Sequence, residues 1–166
     1  MTQIIQILIL GVALGGVYAL MSSGMTLIFG VMRIVNLAHA AFIILAAYIS
    51  FWLFKLWDID PILSIFITMP VMFLIGMIYY RVLFASRADN PRFTDITVLV
   101  TFASALVIEG LLSYFFTGIY RSTNPVYTTK PFLFGPFFVP QSQVFATVIS
   151  VILILLLWLF LRSTRV

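Results

Sequence analysis

The sequence predicts an all-α, polytopic membrane protein, and three observations carry that prediction. Hydrophobic residues make up 63% of the chain and charged residues only 8%, which leaves too little polar surface to cover a water-soluble domain. The mean hydropathy is +1.20, and apolar runs reach the roughly 20 residues that a helix needs to cross a hydrocarbon core of about 30 Å. Short polar or proline-containing segments separate these runs, so we expect about five transmembrane helices.

The breaks between apolar runs place the five spans. Residues 1–54 as one helix would measure roughly 80 Å at about 1.5 Å per residue, which is too long for one crossing. A turn is therefore expected between Gly30 and Asn36, where Asn36 could cap a new helix. The segments KLWDIDP and RADNPRFTD supply the next two breaks. The predicted spans are about 6–29, 35–54, 62–84, 96–117 and 143–161, which together form a single transmembrane domain over 1–166.

The segment 118–142 is the longest interruption. It contains four prolines and therefore cannot be helical throughout. Its apolar part, PFLFGPFFVP, is unlike a free linker. We expect this segment to lie against the membrane face or a neighbouring chain.

The positions of lysine and arginine predict the orientation. A cytoplasmic C-terminus places six basic residues inside and three outside, as the positive-inside rule favours, and it puts the N-terminus outside. The opening MTQIIQILIL has no basic residue before the apolar region, so we interpret it as a retained first span rather than a signal peptide. The inner group is Arg33, Arg81, Arg87, Arg92, Arg162 and Arg165, and the outer group is Lys55, Arg121 and Lys130.

The composition argues against several functions. The chain has no cysteine, which excludes disulfides, thiolate-bound haem, iron–sulfur clusters and cysteine-based zinc sites. It has one histidine, which argues against a metal enzyme. The formal charge of +4 comes from basic residues scattered between spans, which is a topology signal rather than a nucleic-acid patch. We therefore expect no bound cofactor, no metal and no nucleic-acid partner.

Small residues recur every four positions in the first span, from Gly11 to Ser23. On a helix they form one nearly straight stripe, which would let another helix approach closely. A substrate passage beside the helix would show the same pattern, so both interpretations stay open. The packing candidates are Gly11, Gly15, Gly16 and Ala19, and the passage candidates are Ser22, Ser23 and Gly24.

The stretch RIVNLAHAA, residues 33–41, carries an arginine, an asparagine and the histidine at intervals of three. On a helix, Arg33, Asn36 and His39 would lie along one side within about 120°. An amide facing lipid is costly, so Asn36 should face protein, a cavity or water. In a structural interpretation Arg33 anchors the turn at the cytoplasmic headgroups, Asn36 caps the second span and His39 donates to a carbonyl. In a functional one, Asn36 and His39 line or gate a passage.

Glu109 is an ionisable residue inside the fourth predicted span. It lies about 20 Å along the helix from Asp95 at about 1.5 Å per residue, which places it in the outer third of the bilayer. An intramembrane carboxylate suggests function by default, although a protonated Glu bonded to a neighbouring helix would be structural. We include Glu109 among the passage or gating candidates.

The pattern GxxxGxxYALxxxGxTLIFGVxRIVNxAH, from Gly11 to His39, resembles the opening of the Liv-type permeases. These are the membrane subunits of ABC importers for branched-chain amino acids, with relatives for urea and short amides. TVLVTFASALVIEGLL and the final RSTRV resemble later parts of the same family. The sequence departs from the family at Leu37, Ala40 and Glu109, where phenylalanine, glycine and glutamine are usual, and these departures bear on the cargo.

The resemblance implies the N-terminal part of an ATP-driven importer permease, because such permeases continue beyond the position of Val166. It implies movement of branched-chain amino acids or similar small polar solutes by alternating access, in a bacterial or archaeal plasma membrane. The expected partners are a homologous second permease, cytoplasmic ATP-binding subunits and an extracytoplasmic solute-binding protein. The chain has no GxxxxGK[ST] motif, so we expect no ATP hydrolysis by it.

Three other functions stay open from the residues alone. A secondary transporter or channel would need no ATPase, and inverted repeats, which would favour it, are not visible in these five spans. A membrane enzyme lacks a nucleophile–base pair or a metal cluster in the sequence. A purely structural membrane subunit is the third.

Overall fold

A computed structural model describes residues 2–88, 90–117, 119, 121–128 and 131–164. Five helices are long and apolar enough to cross a membrane, the third being counted with the 3₁₀ turn Ala85–Arg87 that follows it. The predicted polytopic helical fold is therefore confirmed. The helices are α1 (Thr2–Met32), α2 (His39–Trp57), α3 (Ile65–Leu83), α4 (Phe93–Phe116) and α5 (Gln141–Ser163).

The first break lies at Arg33, within the predicted turn. Its φ of 55° is in the left-handed region, which a non-glycine residue adopts only at a cost. The N–H of Arg33 still donates to the Phe29 carbonyl at 2.9 Å, and the helical ladder ends there. Residues 33–36 are not helical and α2 begins only at His39. The prediction that Arg33, Asn36 and His39 share one side of a helix is therefore wrong.

The connection from α2 to α3 is held by side chains of its own segment. Asp58, with φ 53°, ends α2. A carboxylate oxygen of Asp60 accepts the Ile62 N–H at 2.8 Å. The buried Ser64 hydroxyl donates to the Pro61 carbonyl at 2.7 Å and lies 2.6 Å from the Ser50 hydroxyl. These bonds tie the start of α3 to the middle of α2.

The proline-rich segment forms a short β-hairpin, which follows a single 3₁₀ turn at Val126–Thr128. Strand β1 (Pro131–Phe134) pairs antiparallel with β2 (Phe137–Pro140). Gly135, at φ +60°, supplies the positive dihedral that the tight turn requires. The Gln6 side chain of α1 bonds the Phe138 backbone in both directions, at 2.6 and 3.2 Å. The hairpin is thus attached to the chain's own first helix.

The chain divides into two compact units, and the division falls within α1. The unit comprising Met1–Leu27 and Asn124–Val166 contains most of α1, the hairpin and α5. There the Gln143 amide donates to the Leu10 carbonyl at 3.0 Å. The unit Ile28–Thr123 contains α2, α3 and α4. A single transmembrane domain over 1–166 stays a prediction.

Basic residues occupy opposite ends of the unit Ile28–Thr123. At the end where α2 and α4 begin, the rings of Phe84 and Phe93 lie 6.2 Å apart. At the other end, Lys55 and Arg121 both lie over the Trp52 ring, at 5.1 and 5.8 Å. The orientation prediction depends on this separation of basic residues into two groups at opposite ends. Lys130 and Arg165, which also belong to the predicted groups, lie outside the described residues. The first end carries Arg33, Arg81, Arg87 and Arg92.

The orientation can be tested with single cysteines at two exposed serines, Ser86 and Ser122. We expect a cysteine at Ser86 to react with a membrane-impermeant maleimide only from the cytoplasmic side. A cysteine at Ser122 should react only from outside, because it follows α4 at the opposite end. The native chain has no cysteine, so the background is zero, and the reverse pattern would mean the opposite topology.

Candidate functional site

Two buried threonines of α4 hold the turn between α1 and α2; we call Thr97 and Thr101 the threonine clamp. Both are fully buried and lie one helical turn apart. The Thr101 hydroxyl accepts the Leu37 N–H at 3.1 Å and donates to the Val35 carbonyl at 2.9 Å. The Thr97 hydroxyl accepts the Val35 N–H at 3.3 Å and donates to the Thr94 carbonyl at 2.7 Å. The clamp therefore supplies the hydrogen bonds that a continuous helix would have made here.

Sequence reasoning did not identify the clamp as part of the site. Its only signal is the i, i+4 spacing of Thr97 and Thr101 in an apolar run, TVLVT. A threonine in such a run commonly bonds a carbonyl of its own helix, so spacing alone does not indicate a partner more than sixty positions away, as Leu37 is from Thr101.

Asn36 and His39 line a cavity of about 300 Å³, which we call the His39 cavity. The Asn36 side-chain oxygen accepts the Ala38 N–H at 3.1 Å, and the Asn36 carbonyl accepts the His39 N–H at 3.2 Å. The predicted capping role is corrected in detail: Ala38 occupies the N-cap of α2 and no side chain caps it. Asn36 instead closes an Asx-type turn just before the helix.

Helix α3 supplies the facing wall of the His39 cavity. A Cβ added at Gly76 would meet no atom of the described residues within 4 Å, so this wall has space for a larger side chain. Tyr79 also lines the cavity. Its hydroxyl is buried near Ser104, but meets no described residue at hydrogen-bond geometry. The cavity thus combines an amide, an imidazole and the phenols of Tyr79 and Tyr80 in a mostly apolar shell.

Glu109 lines a larger cavity of about 640 Å³, which we call the Glu109 cavity. It is formed by α2, α4 and the residues directly after α4. Its polar lining comes from Glu109, Arg121, Tyr48, Ser113 and Thr117, and its apolar lining from Ile43, Ile44, Ala47, Phe51, Leu112 and Ile119.

Arg121 is held at one end of the Glu109 cavity. Its Nη2 donates to the Phe116 carbonyl at 2.8 Å, at the C-terminal end of α4, where a cation is favoured. Its guanidinium carbon lies 5.8 Å from the ring centres of Phe51 and Trp52 and 6.0 Å from that of Phe116. These distances fall in the cation–π range. The positive charge is therefore positioned by three rings and one carbonyl.

The candidates predicted as passage residues do not share one cavity. Asn36 and His39 line one cavity and Glu109 the other. Ser22, Ser23 and Gly24 line neither of these two; the Ser23 hydroxyl donates to the Leu20 carbonyl of its own helix at 2.7 Å. Among the described residues, no group of three or more acidic, histidine or cysteine side chains is arranged to hold a metal ion.

Of the packing candidates, Gly16 makes the close helix contact. A Cβ at Gly16 would lie 3.1 Å from the Thr147 methyl of α5. The same atom at Gly11 or Gly15 would meet no described atom within 4 Å, and Ala19 is exposed. The packing predicted at Gly11, Gly15 and Ala19 therefore has no close contact in the described part of this chain and stays a prediction. Adjacent helical positions point about 100° apart, so only one of Gly15 and Gly16 can face α5.

We expect Gly16→Leu to destabilise the packing of α1 on α5 by about 1–3 kcal/mol, the usual range for overpacking. The Thr147 methyl cannot move away easily, because its hydroxyl bonds the carbonyls of Ala13 and Gln143 at 2.8 and 2.7 Å. Gly15→Leu is the control, since it gives the same gain in helix propensity without a clash. Thermal unfolding in detergent should show a lower Tm for Gly16→Leu alone; equal Tm values would rule out the contact.

Comparison with known protein families assigns this chain to one of them. The family described as branched-chain amino acid transport system / permease component matches residues 7–166, nearly the whole chain. No curated protein and no solved structure matches the chain. The family match agrees with the five helices that are long and apolar enough to cross a membrane. The chain is thus a multi-pass membrane protein that belongs to the permease components of branched-chain amino acid transport systems.

Proposed function

We propose that the chain is a membrane-spanning subunit of an ATP-driven importer that moves branched-chain amino acids or similar small polar solutes by alternating access. Its membership of the permease family supports this role. The observation that carries the proposal is the Glu109 cavity, since it combines a carboxylate, a guanidinium and three hydroxyl-bearing side chains with an aliphatic wall. Its volume of about 640 Å³ lies within the roughly 300–1,000 Å³ typical of small-molecule sites.

The depth of Glu109 supports a solvated passage. Glu109 lies seven residues before Phe116, the last residue of the 24-residue α4, or about 10 Å from the helix end at about 1.5 Å per residue. An ionised carboxylate that faced lipid at this depth would cost a free energy of about 2–3 kcal/mol or more. Water or a polar solute in the Glu109 cavity would avoid that cost.

The His39 cavity is proposed as the opposite mouth of the passage. Asn36 and His39 would line or gate it there, and Arg33, exposed at the end of α1, would anchor the turn at the cytoplasmic headgroups. The threonine clamp supports this role, because it ties the turn to α4, the helix that carries Glu109.

The complete importer would contain a homologous second permease, cytoplasmic ATP-binding subunits and an extracytoplasmic solute-binding protein. It would reside in a bacterial or archaeal plasma membrane. This chain would bind no cofactor and would not hydrolyse ATP. The ATP-binding partner subunits would carry out the hydrolysis.

The test is to purify the complex through a tag on this chain from its own host's membranes and to reconstitute it in vesicles. We expect an ATP-binding subunit to co-purify, and leucine uptake to require ATP hydrolysis. The matched control carries a substitution of the phosphate-binding lysine in the ATP-binding subunit, which should abolish uptake. Leucine uptake without ATP and without that subunit would instead support a secondary transporter or channel and would overturn the proposal.

A further inference from the structure

Glu109 has no charge partner among the residues that the structure describes. No ion pair or side-chain hydrogen bond engages its carboxylate there. Arg121 lines the same cavity, but its guanidinium is bound at the Phe116 carbonyl, about 10 Å further along α4 at about 1.5 Å per residue. The carboxylate is therefore available to a cation that enters the cavity.

The two charges have opposite signs, which decides which group of a ligand each can recognise. In an α-amino acid, the ammonium and carboxylate groups are attached to the same carbon, and each matches in charge one of these two cavity residues. Glu109 can hold an ammonium group without help from Arg121. Arg121 at the cavity end can attract a carboxylate independently.

The cavity wall beside these charges suits a short aliphatic group. Ile43, Ile44 and Ala47 line it from α2, and Leu112, which is 8% exposed, lines it from α4. Burial of branched carbon chains against such a wall is favourable, because it removes apolar surface from water. The lining does not suit a small solute with neither charge nor apolar surface.

We propose that Glu109 is an ammonium-recognition residue and that the Glu109 cavity selects small aliphatic amines and amino acids over neutral amides. This inference rests on the proposed transport function and names the ligand chemistry of its cavity. An uncharged amide at this position would recognise an ammonium group more weakly than the Glu109 carboxylate does.

The experiment measures binding to the purified chain in lipid nanodiscs through tryptophan fluorescence. Trp52 is a suitable reporter, since its ring lies 6.0 Å from Phe116 and 5.8 Å from the Arg121 guanidinium. The probes are leucine, 3-methylbutylamine and 4-methylpentanamide, which share a branched aliphatic group and differ in charge. We expect leucine and the amine to bind at least about tenfold more tightly than the amide, because hydrogen bonds between charged groups are stronger than those between a charged and a neutral group.

Substitutions then assign the preference to Glu109. Glu109→Gln should weaken leucine and amine binding about tenfold or more and leave amide binding unchanged, whereas Glu109→Asp should retain part of the preference. Asp95→Asn is the control, because it removes an acidic side chain from the exposed first turn of the same helix.

Two outcomes would overturn the inference: equal affinities of Glu109→Gln and the native chain for the amine, or no saturable binding of leucine and the amine by the native chain. Neither outcome bears on whether uptake needs ATP. A failure of this inference is therefore distinguishable from a failure of the proposed importer function.

Discussion

Thr101→Val is expected to lower the free energy of unfolding by about 2–6 kcal/mol, because it leaves two polar backbone groups without partners at a cost of about 1–3 kcal/mol each. These groups are the Leu37 N–H and the Val35 carbonyl, which the Thr101 hydroxyl binds at 3.1 and 2.9 Å. Valine matches threonine closely in shape, so packing around the fully buried position should change little. The loss therefore isolates the hydroxyl.

Thr97→Val should cost less than Thr101→Val. Its hydroxyl accepts a single N–H from the turn, that of Val35, at the longer distance of 3.3 Å. Thr94→Val is the matched control, since Thr94 is exposed on the same helix and its side chain makes no hydrogen bond to any described residue. Unfolding in mixed micelles, followed by circular dichroism, gives the three values. Equal stability of the Thr101 and Thr94 variants would show that the clamp contributes nothing.

Asn36→Leu is expected to lower solute uptake about tenfold at equal protein level in the assembled importer. Its side-chain oxygen accepts the N–H of Ala38, a fully buried residue. Leaving that group unpaired costs about 1–3 kcal/mol, and about 1.4 kcal/mol corresponds to a factor of ten. The substitution removes no hydrophobicity, so membrane insertion should remain normal. The measurement is initial uptake rate divided by the amount of protein in the membrane.

Two companion variants separate the role of Asn36 in the turn from the role of the His39 cavity in transport. Asn36→Asp keeps an acceptor for the Ala38 N–H and should preserve the turn, so any remaining defect reports on the His39 cavity. His39→Gln keeps a donor and an acceptor but cannot be protonated; normal uptake by it would assign His39 a hydrogen-bonding role only. If Asn36→Leu transports at the native rate, the gating proposal fails and Asn36 serves the turn alone.

The sequence by itself determined that this protein resides in a membrane, that it has five helices, and approximately where the connections between them lie. These properties depend on quantities that are local along the chain. An apolar run must reach about 20 residues to cross the bilayer, and proline cannot continue a helix or donate a backbone hydrogen bond. The same local reasoning placed the first turn between Gly30 and Asn36, where the structure has it at Arg33.

Only the tertiary structure decided which side chains meet. The turn after Arg33 is not helical up to His39, because Thr97 and Thr101 bind its backbone from positions more than sixty residues away. Gly16 rather than Gly15 faces Thr147, and Glu109 shares a cavity with Arg121 rather than with His39. Such pairings depend on how helices rotate and pack against one another, and a periodic pattern in one helix does not specify the partner that it faces.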